Sequence, residues 1–179
     1  MKLLSLLIPQ EPIYAQVDLK DATIKIKDGT GTPNAITIKV GEGNLTWSEK
    51  VTREYTLDRG LLDEVRDGDQ VPVELSMDFV WEYIRGVVAT TGTPSVEDAL
   101  KKINGASAWI STDADLCRPY AVDIEITVTP NCTSGDHEII TFSDFRYEQL
   151  DHDLRAGTIS MTGRCNITKP TVTRVPQSS

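Results

Sequence analysis

The stretch 71-VPVELSMDFVWEYI-84 alternates apolar and polar residues. Val71, Val73, Leu75, Met77, Phe79 and Trp81 share one parity. Glu74, Ser76, Asp78 and Glu82 share the other, with Val80 among them. A period of two marks a strand with one buried and one wetted face. Pro72 is tolerable near a strand's start. Working outward, the same signal recurs. Residues 22–27 and 35–40 alternate and flank the turn cluster 28-DGTGTPN-34, as a hairpin with a loose loop. Residues 45–57 read as one long strand after the turn 41-GEGN-44, with Leu45, Trp47, Val51, Tyr55 and Leu57 on one parity. Residues 107–112, 120–130, 138–154 and 158–170 supply the remaining strands. In 120–130, Val122, Ile124, Ile126 and Val128 point inward.

The one helix predicted runs through 93-TPSVEDALKKINGAS-107. Thr93 or Ser95 caps it, Ser95 and Asp98 have capping-box spacing, and Val96, Ala99, Leu100 and Ile103 form an apolar stripe. Gly105 ends it after about three turns, and so short a helix needs a sheet to lie on. Runs of strands with a single helix predict a mainly β chain, a sandwich or barrel with one flanking helix. The expected organisation is an N-terminal arm (1–20), one β-sandwich domain (21–170) and an unpatterned C-terminal tail (171–179).

The chain has 179 residues, enough for one domain with a sizeable core. Its hydrophobic content of 39% and charged content of 25% are those of a globular protein. A net charge of −9 disfavours ordinary nucleic-acid binding, though not a role in handling DNA without holding it. Three cysteines at wide spacing give neither a disulfide framework nor a zinc site, and they are expected to be reduced. The start, 1-MKLLSLLIPQEPIYAQ-16, has a six-residue apolar run, shorter than a secretory core. It reads as an extended arm whose Leu3, Leu4, Leu6, Leu7 and Ile8 dock on their own domain or a neighbour. No run approaches the roughly 20 apolar residues of a membrane span.

The stretch 58-DRGLLDEVRDGDQ-70 offers the most chemistry, as a charged, glycine-punctuated loop between strands. A metal site is one candidate, but Asp63, Asp67 and Asp69 do not follow calcium-loop order, and Arg59 and Arg66 compete as cations. Glu74 and Asp78 lie about 13 Å apart on an extended strand, beyond the reach of a glycosidase carboxylate pair. No nucleophile elbow or phosphate-binding loop is present, and neither His137 nor His152 has a recognisable catalytic partner. No catalytic residue, metal or cofactor is therefore expected. A protein that interacts through sheet edges and loops remains.

On these residues a resemblance rests. The runs 53-REYTLDRGLLDEVRDGDQVPVELSMDFVWEYI-84, 94-PSVEDALKKINGAS-107, 117-CRPYAVDIEITVTPNC-132 and 140-ITFSDFRYEQLDHDLRAGTISMTGRCN-166 resemble the major tail tube proteins of long-tailed bacteriophages. The resemblance implies a fold akin to type VI secretion tube proteins. It implies hexameric rings stacked into a tube that conducts genome DNA. Its partners are then copies of itself, a tape measure protein, a tail terminator and distal tail or baseplate proteins. Its location is the virion, after assembly in the host cytoplasm. Glu74, Asp78, Asp123 and Glu125 become candidates for the lumen wall. Asp58, Arg59, Leu61, Leu62, Asp63, Glu64, Val65, Arg66 and Asp67 become candidates for contact between subunits. Two other readings stand beside it: a carbohydrate-binding or adhesin module, and the inner tube of a contractile tail or secretion machine.

Overall fold

A computed structural model describes residues 18–81, 94–129 and 137–175. The chain is mainly β. The strands are β1 (Ala22–Lys27), β2 (Ala35–Ile38), β3 (Leu45–Ser48), β4 (Val51–Asp58), β5 (Leu61–Gln70), β6 (Glu74–Val80), β7 (Val122–Val128), β8 (His137–Asp153), β9 (Thr158–Cys165) and β10 (Thr171–Val175), with one helix, α1 (Val96–Lys101). All pairings are antiparallel, in the order β2-β1-β7-β8-β9-β6-β3, with β10 also on β8 and β4-β5 forming a sheet of their own.

The 17-residue β8 belongs to both halves of the sandwich. Its first part pairs with β7 and β10, and its second part with β9. Two register shifts, opposite Asp123 and at Glu148, mark bulges that bend it. The strand can thus pass from one layer to the other. Backbone bonds from Val80 to Lys39 (2.8 Å) and Asp78 to Asn44 (2.9 Å) tie the β2–β3 connection to β6. The two layers close over one core of Ile24, Ile26, Leu75, Met77, Phe79, Ile124, Phe142, Phe145, Ile159 and Met161. The inward parities expected for β6 and β7 are the buried ones, except that Val71 is only half-buried and Trp81 is exposed.

Several expectations are corrected. Residues 58–70 are not a loop: the turn is only Arg59–Gly60, and Leu61–Gln70 is strand β5. Arg59 and Gly60 both have positive φ (51° and 85°), as a two-residue hairpin turn needs. Residues 45–57 are two strands in two sheets, broken at Glu49–Lys50. Residues 107–112 form no strand, although Ile110 and Thr112 keep backbone bonds to Gly29 and Ala121. The tail is not unpatterned, since Thr171–Val175 pairs with His137–Thr141.

The helix is shorter than expected. Ser95 caps it in a capping box with Asp98 (3.0 and 3.1 Å), but Lys102 turns left-handed at φ 56° and ends it before Gly105. The Asn104 side chain draws the chain back by donating to Asp98 (2.8 Å). The 28–34 turn is tightly organised. Buried Asp28 accepts from the Asn34 backbone (2.7 Å), the Asn34 side chain (2.8 Å) and Thr30 Oγ1 (2.8 Å). Burial works against its charge, yet these bonds outweigh it and hold the carboxyl below the usual carboxylate range.

Gly163 is where β9 runs closest to the bent part of β8. A Cβ there would lie 2.6 Å from the Phe145 ring and closer still to the Arg146 carbonyl oxygen. The carbonyl is backbone and cannot move aside. Gly163→Ala is expected to lower stability by about 1–3 kcal/mol, the usual cost of overpacking, measured as a fall in denaturation midpoint. An unchanged midpoint would show the β8–β9 contact to be looser than described.

Candidate functional site: a projecting hairpin and two outward sheet faces

The β4–β5 hairpin pairs only with itself. Its residues are exposed throughout, apart from half-exposed Gly68. Directly opposed residues share a face, so the register sorts its side chains. Tyr55 faces Val65, Leu57 faces Leu62, and Arg53 faces Asp67. With Val51 they make one largely apolar face, closed at its root by the Arg53–Asp67 ion pair. The other face carries Glu54 opposite Arg66, Thr56 opposite Glu64, and Asp58 opposite Leu61. Asp63 is the extra residue at a register shift. Leu57, Leu61 and Leu62 are 64%, 75% and 70% exposed, more than an isolated two-stranded sheet can leave in water without cost. Arg66 pairs with Glu64 at 2.9 Å, while Arg59 reaches Asp58 only at 4.0 Å.

The four carboxylates expected on one wall are divided between the two layers. Glu74 and Asp78 lie on β6, Asp123 and Glu125 on β7, with β8 and β9 between them in the sheet order. The inward sides of both strands pack on the same core. The two pairs therefore leave the core from different parts of the sheet, with two strands between them. Glu74 is held by Lys50 (3.0 Å) and Arg164 (3.3 Å), and the Lys50 hydrogen bond chiefly lowers its pKa. Glu125 is paired with Lys27.

Asp123 has a structural task. Its Oδ1 accepts the backbone N–H of Asp144 (3.0 Å), which sits at the β8 bulge with φ 55°. Thr112 Oγ1 donates to the Asp144 carboxylate (2.9 Å). Burial raises the pKa of Asp123, the nearby Asp144 charge adds to it, and the Asp144 N–H opposes it. Burial, with both of these carboxylates, pushes the buried Cys165 thiol up to about 12, so it is inert.

Val51, Tyr55 and Leu57 were placed on one parity but not named as hairpin surface, because residues 45–57 were read as a single strand whose face, interrupted by Glu49 and Arg53, had to be partly wet or paired with another chain. Sequence reasoning missed Asp151, which lies in one row with Ser160 and Asp78. The alternation of 138–154 carried that signal.

Trp109 is buried in the core. Trp47 packs edge-on against Phe142 (5.5 Å) and Trp81 against His152 (5.1 Å). These three do not form a flat aromatic platform. Among the described residues no His, Cys, Asp and Glu cluster could hold a metal, and no helix is long and apolar enough to cross a membrane. The arm residues Leu3, Leu4, Leu6, Leu7 and Ile8 lie outside the described residues, as do Glu82, Tyr83, Ile84, Thr93 and Cys132.

No family model and no curated protein matches the sequence. A chain from a solved structure, described as the cryo-EM structure of the anti-feeding prophage baseplate, 6-fold symmetrised, is similar at a TM-score of 0.43 and 10% identity. The match covers 92% of this chain and 97% of that one.

The raised pKa of Asp123 has a definite sign. Below the ordinary carboxylate value, near pH 4, the group is protonated whether the chain is folded or not. As pH rises toward the higher folded value, the folded chain keeps the proton that the unfolded chain releases. Stability therefore falls through that window and stays lower above it. Asp123→Asn keeps an oxygen acceptor for the Asp144 N–H and removes the charge. The variant is expected to melt higher than the parent at pH 7, with the gap closing toward pH 4. A gap that widens on acidification would contradict this account of Asp123.

Proposed function

We propose that this chain is a non-catalytic structural subunit of a bacteriophage tail. It assembles with copies of itself into six-membered rings that stack as the tail tube and conduct genome DNA. The observation that carries this reading is the β4–β5 hairpin, an amphipathic and exposed sheet that pairs with no other strand among the described residues. A protein interface of standard size engages about 20–30 residues on each side. The hairpin alone offers two strands of 8 and 10 residues, almost wholly exposed. Its apolar centre and charged flanks match the layout of such an interface, where buried apolar anchors carry most of the affinity. Its ion pairs are exposed, and each is worth about 0–1 kcal/mol.

Two further features support the reading. The main sheet ends in β2 and β3, and edges of this kind need a neighbour or a cover. Closed rings of copies supply the neighbour. The net charge of −9 suits a conduit from which phosphates are repelled. In this setting the further partners are a tape measure protein, a tail terminator and distal tail or baseplate proteins.

The test is a double substitution on the apolar face, Leu57→Asp with Leu62→Asp. Both side chains are exposed in the single chain and lie outside its core, so the midpoint of the main body's unfolding should be little changed. Electron microscopy of concentrated protein should find rings or tubes for the parent and none for the variant. Tubes formed equally well by the variant would remove the hairpin from the assembly. A parent that stays monomeric with the tail's other components present would remove the tube.

A further inference from the structure

We propose that the outward face of β3, β6, β9 and the second part of β8 is the wall that meets DNA, and that the outward face of β1, β2 and β7 is not. This rests on the tube reading and decides which of its two layers turns inward.

The register sets out the first face in rows. Thr46, Ser76, Thr162 and Gln149 form one row. Asp78, Ser160 and Asp151 form the next, and Val80, Thr158 and Asp153 the one after. Ser48, Glu74 and Arg164 form the row on the other side, with Arg146 beyond. The middle of the face is thus short hydroxyl side chains with Asp78, Asp151 and Asp153 among them. Its cations are neutralised in place. Arg164 lies between Glu74 and Glu148 (3.3 Å to each), Lys50 pairs with Glu74, and Arg146 folds away to Asp113 (2.6 Å).

The opposite face differs in kind. Lys25 lies across from Glu125, and Lys27 across from Asp123. Thr23, Thr127 and Thr37 complete it. Lysines and carboxylates alternate there in equal number, and Lys27 is paired with Glu125, so this face carries no excess of negative charge.

A duplex moving through a bore presents phosphates to every side of the wall. Each ammonium that contacts one displaces counterions and holds the strand. Uncompensated carboxylates repel it within about 8 Å at physiological salt. Short hydroxyls leave a hydrated surface without a mobile charge. The β3–β6–β9 face meets these requirements, and the lysine-bearing face does not.

Thiol labelling of assembled tubes tests the assignment. Cys117 and Cys132 are first replaced by Ser, and electron microscopy of this background protein checks tube formation. Its failure to form tubes, where the native chain also fails, overturns the tube reading rather than the choice of face. Thr162→Cys and Thr23→Cys are then introduced singly. Each is treated, before and after assembly, with a small maleimide and with a maleimide coupled to serum albumin, which is too wide for the bore. Thr162→Cys should react with both reagents as free subunit and lose only the albumin reaction in tubes. Thr23→Cys should keep both wherever a ring contact does not cover it. Albumin labelling of Thr162→Cys in intact tubes overturns the assignment. So does its protection from both reagents, which places it in a subunit contact. If Thr162→Cys fails to assemble, Ser76→Cys on the same row takes its place.

Discussion

The architecture depends on β8 bending without breaking. A strand of 17 residues would extend over 50 Å if straight, at about 3.3 Å per residue. That is far longer than the neighbours that pair with it. Two bulges let it serve both layers, and the first has to place Asp144 in a left-handed conformation that costs a non-glycine residue energy. Asp123 stabilises that conformation by accepting the Asp144 N–H, which the ladder leaves without a strand partner. Phe142 and Phe145 flank the bulge and are fully buried. Gly163 accepts the Phe145 ring because it has no side chain of its own. Bulge, carboxylate, ring and glycine form one unit, and the position of both sheets follows from it.

That unit explains what could be read from the residues and what could not. Period-two alternation located β1, β2, β6, β7 and β9, since each buries one parity. It failed where burial is absent. In β5 both parities face water, so acidic residues of low strand propensity concealed a strand that is held by cross-strand pairs. In β10 four of five residues are exposed, and the partner is set by β8 rather than by a pattern of its own. The helix was placed correctly by its cap but ended early, because Asn104 and Asp98 form a tertiary-like contact that local propensity does not register.

The candidate site divides along the same line. Leu61, Leu62 and Val65 were legible as surface apolar residues because apolar residues among charges stand out. Tyr55 and Leu57 were not, because a parity does not say whether the face it defines turns to the chain's own core or to another molecule. How Glu74 and Asp78 sit relative to Asp123 and Glu125 was not legible, for a related reason. Alternation tells which residues leave the core, but only strand order tells on which side they emerge. With the order β7-β8-β9-β6 known, the second pair separates from the first, and Asp151 joins Asp78 in its place.

The hairpin's energetics connect fold to assembly. A two-stranded sheet in water is marginal by itself. Here it has exposed ion pairs of small worth, one across the strands and one within β5, and an apolar face that gains nothing while it is wet. Most of its stabilisation has to come from whatever covers Tyr55, Leu57, Leu62 and Val65. A partner that covers them contributes to the hairpin's own order and to the contact at once, so order in this segment rises with assembly. The main body does not share this dependence, because its core is complete within one chain. In the proposed tube, a body with a complete core would carry a hairpin that becomes fully stable only when a neighbour covers it.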